Sequence, residues 1–110
     1  MKRVLLWHRP KVHIIWPMET KNVTLQHKRQ VLKYDGAIGD TIRSIREREG
    51  LRQSEVARGF RCHQPEISKL EAGQRSLKVS ELGMLADALG MSLDELVSQL
   101  VEALSKTEVD

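Results

Sequence analysis

The sequence has few residues of the kinds that mark catalytic, metal-binding or membrane-embedded proteins. Of its 110 residues, one is a cysteine, three are prolines and 4% are aromatic. A single cysteine cannot form an intramolecular disulfide, which favours a reducing compartment. No apolar run approaches the ~20 residues needed to span a bilayer. We find no Cys-x-x-Cys or His-x-x-x-His motif, nucleophile triad or phosphate-binding glycine loop, so we expect no enzyme, no metal site, no cofactor and no membrane association.

Charge is distributed unevenly along the chain, although the net formal charge is only +3. Residues 1–35 carry +6, residues 36–78 carry +3 and residues 79–110 carry −6. A basic N-terminal region and an acidic C-terminal region indicate a polyanionic partner on one side of the molecule. The alternative is that each charged region is only a solvated surface.

The first 35 residues differ from the rest, since they contain both tryptophans, the only tyrosine and three of the four histidines. The short runs VLLW and VHIIW are β-prone and could form a hairpin. We expect instead a basic N-terminal extension, residues 1–35, that is flexible or weakly ordered. Met18 begins a stretch that resembles an ordinary translation start, so residues 1–17 could come from an over-extended start assignment.

From Ala37 onward, apolar residues recur at helical spacing and predict five short helices. The first ends at Gly50, a natural residue just after a helix C-terminus. The second and third cover residues 53–60 and 64–72, and the three-residue turn between them is typical of a helix-turn-helix. The fourth begins at Ser80 as N-cap and ends at Gly90.

The fifth helix begins at Ser92, with Glu95 placed to complete a capping box. Its apolar stripe continues past what a small core needs. The far end of that stripe either belongs to the core of its own chain or packs against a second subunit, and the candidate dimer contacts are Leu100, Val101 and Leu104. Residues 105–110 are expected to be a frayed tail.

Three segments in order, IREREGLRQSEVA, QPEISKLEAG and LADALGMSLDEL, carry a family resemblance. Over residues 38–96 the sequence resembles the lambda-repressor-like (Xre/Cro) helix-turn-helix DNA-binding domains. The resemblance implies an all-α fold, a compact five-helix domain over residues 36–104 that follows the N-terminal extension. It also implies double-stranded DNA as partner, a homodimer, and a cytoplasmic, nucleoid-associated location.

The same resemblance assigns roles to individual residues. The third helix would lie in the major groove, with candidate base-reading residues His63, Gln64, Glu66, Ser68 and Lys69. Candidate contacts to the DNA backbone are Gln53, Arg43, Arg52, Arg61, Arg75 and Lys78. A partly buried ion pair between Arg46 and Glu71 would be architectural. The alternative is that the exposed Arg and Lys side chains are only solvated and contact no DNA.

Residues 61–65 raise three separate questions. Arg61 occupies the turn position where the family usually has glycine, so either the turn changes shape or Arg61 tolerates left-handed backbone strain. Cys62 falls on a buried position, which favours an inert thiol over a ligand or nucleophile. Pro65 lies in the first turn of the third helix, where a missing N–H loses no helical bond.

The leading functional hypothesis is a sequence-specific transcriptional regulator, most simply a repressor. The alternative is the antitoxin of a toxin–antitoxin pair, which would bind a toxin through the N-terminal extension and autoregulate through the same motif.

Overall fold

The computed structural model describes the backbone of residues 16–107 and the side-chain environments of residues 23–107. Within that range the chain is all-α, with five α-helices and one 3-10 turn. In chain order these are α1 (Trp16–Arg48), α2 (Gln53–Phe60), α3 (Gln64–Glu71), the 3-10 turn (Val79–Glu81), α4 (Leu82–Leu89) and α5 (Leu93–Lys106). The predicted helix-turn-helix is confirmed, since α2 and α3 lie within one residue of the predicted bounds.

A single apolar core joins all five helices. Every helix contributes residues to this core, and each of them is at most 6% exposed: Ile42, Ile45, Val56, Ala57, Phe60, Ile67, Leu70, Leu85, Ala86, Leu89, Leu96 and Leu100. Full burial of one such large side chain stabilises the fold by about 1.5–3 kcal/mol. The core therefore depends on aliphatic residues with one phenylalanine, as the low aromatic content requires.

Helix α1 begins much earlier than the sequence pattern predicted. It starts at Trp16 and continues without interruption past Ala37 to Arg48. The predicted start was wrong because residues 24–34 are rich in good helix formers, and each of the two internal glycines, Gly36 and Gly39, costs only about 1 kcal/mol. The possible hairpin of residues 4–16 falls almost wholly on residues 1–15, outside the described residues. The division at residue 35 and the flexibility of the extension stay predictions.

Gly39 on α1 and Gly73 just after α3 allow these two helices to approach each other closely. A Cβ atom at Gly39 would lie 2.5 Å from the carbonyl oxygen of Leu70 and 2.6 Å from that of Glu71. A Cβ atom at Gly73, just after α3, would lie 2.9 Å from the Cα of Gly36. These side-chain-free positions fix the C-terminal end of α3 against one face of α1.

The start of α4 also differs from the prediction. Ser80 lies within the 3-10 turn and is exposed, so it does not act as the N-cap. The carboxylate of Glu81 instead accepts a hydrogen bond of 3.0 Å from the backbone N–H of Lys78. Lys78 is the N-cap residue of the 3-10 turn, so this bond satisfies the N–H of Lys78 and not the amides that a serine N-cap at the start of α4 would serve. No helix within residues 16–107 is long and apolar enough to cross a membrane.

The start of α5 is as predicted. Ser92 Oγ accepts from the backbone N–H of Glu95 at 3.1 Å, and Glu95 Oε1 accepts from the backbone N–H of Ser92 at 3.3 Å. The capping box is therefore confirmed.

Candidate nucleic-acid interface

The turn between α2 and α3 keeps its usual shape although it lacks glycine. Arg61 has φ 61° and ψ 45°, in the left-handed region. Its backbone N–H donates to Arg58 at 3.2 Å, and the N–H of Cys62 donates to Ala57 at 2.9 Å. This is a Schellman motif. Of the two predicted alternatives, the backbone therefore adopts the strained one, at a cost of about 1–2 kcal/mol.

Glycine takes the same position at three other helix ends, those of α1, α3 and α4. Their φ angles are +71°, +75° and +73° at Gly50, Gly73 and Gly90. Among the described residues, Arg61 is the one non-glycine residue with positive φ. The strain at Arg61 is thus a specific departure within an otherwise regular set of helix ends.

Helix α3 exposes its N-terminal residues and buries its opposite face. His63 is the N-cap residue, in extended conformation, and Pro65 lies in the first turn as predicted. The exposed predicted base-reading residues are His63, Gln64, Ser68 and Lys69. Ile67 and Leu70 are 0% and 1% exposed and pack in the core. The helix therefore offers one solvent-facing polar side at the end where a groove contact needs it.

A buried ion pair joins α1 to the last residue of α3. Arg46 donates from Nε to Glu71 Oε2 at 2.6 Å and from Nη2 to Glu71 Oε1 at 3.1 Å. A third bond runs from Arg46 Nη1 to the carbonyl of Leu51 at 2.8 Å. The Glu71 side chain is 4% exposed and that of Arg46 12%. The hydrogen bond to Glu71, more than its charge, raises the pKa of Arg46. The structure thus brings together the predicted structural pair.

Two glutamines connect the Arg46–Glu71 pair to the surface by hydrogen bonds. Gln53 Nε2 donates to Glu71 Oε1 at 2.9 Å, and Gln53 Oε1 accepts from Gln64 Nε2 at 2.7 Å. The carboxylate can only accept, so it dictates which end of the Gln53 amide faces Gln64. Gln64 is left with its carbonyl oxygen and one N–H for another partner. An acceptor beside a donor is the combination that the major-groove edge of adenine binds.

Two of the predicted DNA contacts are engaged with each other. Arg75 Nε donates to Glu66 Oε1 at 3.2 Å, and Arg75 Nη1 donates to Glu81 Oε1 at 3.0 Å. The guanidinium also lies 5.7 Å from the ring centroid of Phe60. Its side chain is 24% exposed. This arrangement links α2, α3 and the 3-10 turn, a structural role that the sequence analysis did not assign to either residue.

The remaining predicted backbone contacts are exposed around the motif. Arg52 lies just before α2, Arg61 just after it and Lys78 in the segment between α3 and the 3-10 turn. Arg43 on α1 is 61% exposed and pairs with Glu47 at 3.4 Å. Exposed pairs of this kind contribute little to stability, so these cations remain available to an anionic partner.

Cys62 is half-buried and packs against the core. Burial, assisted by the nearby Glu66 charge, raises the pKa of its thiol. A raised pKa disfavours the thiolate that nucleophiles and metal ligands need. Within the described residues there is no group of three or more His, Cys, Asp or Glu side chains that could hold a metal ion.

The three predicted dimer contacts have different surroundings. Leu100 is 6% exposed and belongs mainly to the core of its own chain, whereas Val101 is 57% exposed and Leu104 is half-buried. They line an apolar groove of about 220 Å³ together with Ile38, Leu77, Lys78, Val79, Leu82 and Val97. Val79 at its rim is 84% exposed.

A family model described as a helix-turn-helix domain matches residues 37–100. Among solved structures, the clp gene regulator ClgR from Corynebacterium glutamicum is 25% identical, with a TM-score of 0.58 over 66% of this chain and 77% of that chain. The restriction-modification controller protein C.AhdI from Aeromonas hydrophila is 27% identical, with a TM-score of 0.52 over 56% of this chain and 94% of that one.

A point variant of the controller protein C.Esp1396I is 22% identical, with a TM-score of 0.60 over 67% of this chain and 99% of that chain. At this identity the likeness shows the fold alone. No curated protein sequence matches the chain significantly.

Proposed function

The chain belongs to the helix-turn-helix domain family, in its lambda-repressor-like form, and from this premise we propose that it is a sequence-specific transcriptional repressor. Helix α3 enters the major groove of double-stranded DNA, and its N-terminal side chains read base edges. The protein acts in the cytoplasm, on the nucleoid. No cofactor takes part in this mechanism.

The hydrogen-bonded series from Arg46 to Gln64 is the observation that supports this proposal. It holds the amide of Gln64 at the exposed end of α3, 2.7 Å from Gln53. A side chain that is already oriented loses less conformational entropy when it binds. Gln64 reads adenine through its free carbonyl oxygen and its second N–H. His63, Ser68 and Lys69 reach neighbouring bases or phosphates.

The backbone contacts come from cations and one amide that surround α3. Gln53 reaches a phosphate from the first residue of α2, while Arg43, Arg52, Arg61 and Lys78 supply charge. Such contacts set register and most of the salt dependence. Glu66 and Arg75 neutralise each other and act chiefly to link α3 to α2 and to the 3-10 turn.

The protein binds DNA as a homodimer through the apolar groove beside α5. Val79 and Val101 are exposed there, and a second copy would cover both valines symmetrically. Leu104 contributes at the rim and Leu100 forms the floor. Two α3 helices about 34 Å apart would then meet successive major grooves on one side of the duplex.

Replacing Gln64 with alanine tests base reading. On the preferred sequence, obtained by selection from random DNA at fixed salt, Gln64→Ala should weaken binding by about 1–3 kcal/mol and relax the preference at one base pair. Gln99→Ala is the matched control, since it removes the same group from α5. Unchanged binding of Gln64→Ala to both selected and scrambled DNA would contradict the proposal.

The antitoxin hypothesis has no comparable support. It depends on the N-terminal extension as a toxin-binding segment, and residues 1–15 of that extension lie outside the described residues. A protein that co-purifies with the native chain and requires residues 1–35 would favour it.

A further inference from the structure

The N-terminal part of α1 extends beyond the matched helix-turn-helix domain. We use the term α1 extension for residues 23–35, which precede the matched residues 37–100. The longest dimension of the molecule is 53 Å, close to the roughly 50 Å expected for a continuous helix of 33 residues. The extension therefore projects along the long axis and is not folded back on the core.

The base of the α1 extension is fixed to the recognition helix. Gly36 and Gly39 receive the end of α3 so closely that no Cβ atom fits at Gly39 or Gly73. Beside them, Ser76 Oγ donates to Asp35 Oδ2 at 2.6 Å. Because a helix is stiff over this length, the position of α3 in a groove also determines where the extension lies.

The side of α1 that meets α3 continues into the extension. Lys28, Leu32, Gly36 and Gly39 follow at spacings of four, four and three residues, which place them on one face of a helix. A cleft of about 350 Å³ confirms this placement, since Ser76 lines it together with His27, Lys28, Val31, Leu32 and Asp35. Lys28 thus faces the segment after α3, the same segment that carries Lys78.

The charge of the extension fits an anionic partner. It holds Lys28, Arg29 and Lys33 against a single acid, Asp35, whose carboxylate accepts from Ser76. Lys28 and Arg29 are exposed. The extension therefore carries a net charge of the same sign as the exposed cations Arg52, Arg61 and Lys78 around α3.

We propose that the α1 extension is a second DNA-binding element, in which Lys28 and Arg29 contact phosphates of the duplex flanking the site read by α3. This inference rests on the proposed function. Its contacts are to phosphate and carry no base preference of their own. From Gly36 back to Val23 the helix covers about 20 Å, the length of roughly 6 base pairs.

The dependence of affinity on salt tests the contact directly. Each phosphate contact contributes about −0.9 to the slope of log K against log salt, so Lys28→Ala should make the slope less steep by about 0.9 and Lys28→Ala/Arg29→Ala by about 1.8. Lys106→Ala, which removes an exposed lysine at the other end of the chain, should leave the slope unchanged. Alanine favours helix, so circular dichroism should show α1 intact.

Duplex length provides the second measurement. Trimming about 6 base pairs from each flank of the selected site should weaken the wild-type protein and leave the double variant unaffected. A double variant with the wild-type salt slope, or wild-type binding independent of flank length, would overturn the inference. Loss of a co-purifying protein in that variant, with the salt slope unchanged, would assign the surface to a protein partner instead.

The two proposals fail in different ways. If wild-type protein shows no preference for any DNA sequence, the proposed function fails. If it selects a sequence through Gln64 but the Lys28 and Arg29 variants behave as wild type, only the second DNA contact is refuted.

Discussion

Replacing Arg61 with glycine should stabilise the protein. The left-handed conformation at this residue costs about 1–2 kcal/mol in an L-residue with a Cβ atom. Glycine removes that cost but loses about 0.5–1 kcal/mol through the greater freedom of the unfolded chain. The Arg61 side chain is exposed, and its hydrogen bond in the turn comes from the backbone. The net gain should therefore be about 0.5–1 kcal/mol.

Thermal and urea unfolding of three proteins should reveal this gain. Arg61→Gly should raise Tm by about 2–8 °C, given about 4–8 °C per kcal/mol for a domain of this size. Arg61→Ala keeps the Cβ atom and the strain, so its stability should stay within about 0.5 kcal/mol of wild type. If the glycine variant is no more stable than the alanine variant, the strain argument is refuted.

The same two variants separate strain from charge on DNA. Both remove the guanidinium, so both should make the salt slope less steep by about 0.9 if Arg61 contacts a phosphate. Their DNA affinities should then agree although their stabilities differ. A normal slope in both variants would remove Arg61 from the proposed backbone contacts and leave its strain without a binding role.

Three further predictions concern the packing and ion pairs around α3. Gly39→Ala should destabilise the fold by about 1–3 kcal/mol in urea titrations because the new methyl group meets backbone carbonyls. The control is Gly36→Ala on the same helix. Its methyl group meets nothing within 4 Å, so this variant should be neutral or stabilising. Arg75→Met should weaken DNA binding by releasing the Glu66 carboxylate next to phosphates, and adding Glu66→Gln should restore most of the affinity. A lack of rescue, together with a less steep salt slope, would show that Arg75 itself contacts phosphate. The hydrogen bond from Arg75 lowers the pKa of Glu81 below its ordinary 4.5. The stability that this carboxylate contributes is therefore present above pH 4.5 and is lost as pH falls through the pKa of the folded state. Glu81→Gln should reduce this loss of stability in acid, and an unchanged profile of stability against pH would contradict the assignment.

Much of the motif could be predicted because its signals are local. Helix spacing and a three-residue turn set the bounds of α2 and α3, and the capping box at Ser92 requires only two side chains three residues apart. The Arg46–Glu71 pair is separated by 25 residues, and it was found through the family resemblance, since no local pattern links these positions.

Other features could not be predicted because they depend on tertiary partners. Nothing near Gly39 in the sequence shows that carbonyls of α3 lie against it. The role of Arg75 depends on Glu81 and Phe60, which meet it only in the folded chain. Ser80 satisfies the local rule for an N-cap, yet it lies inside a 3-10 turn that Lys78 begins. The carboxylate of Glu81 closes that turn by accepting from the N–H of Lys78, and it also accepts from Arg75.

The predicted start of the first helix, Ala37, was wrong, since α1 begins at Trp16. Residues 24–34 are rich in good helix formers, but they lack the regular apolar stripe that predicts the other helices. That stripe is absent because this part of α1 has little core to cover: Val23, Leu25 and Leu32 are each more than half exposed. This is the segment of α1 for which we propose the second DNA contact.

The buried carboxylate of Glu71 bonds both to Arg46 in α1 and, through Gln53, to the exposed Gln64. Glu71 accepts from Arg46 on one side and from Gln53 on the other, so removing it would take from the largely buried Arg46 its closest carboxylate, a loss of about 3–5 kcal/mol. Gln64 is the last residue of the series and is exposed, so replacing it breaks one surface bond. If Gln64 reads a base as proposed, base preference can change at this residue with little loss of stability, while Arg46, Gln53 and Glu71 are constrained by the fold.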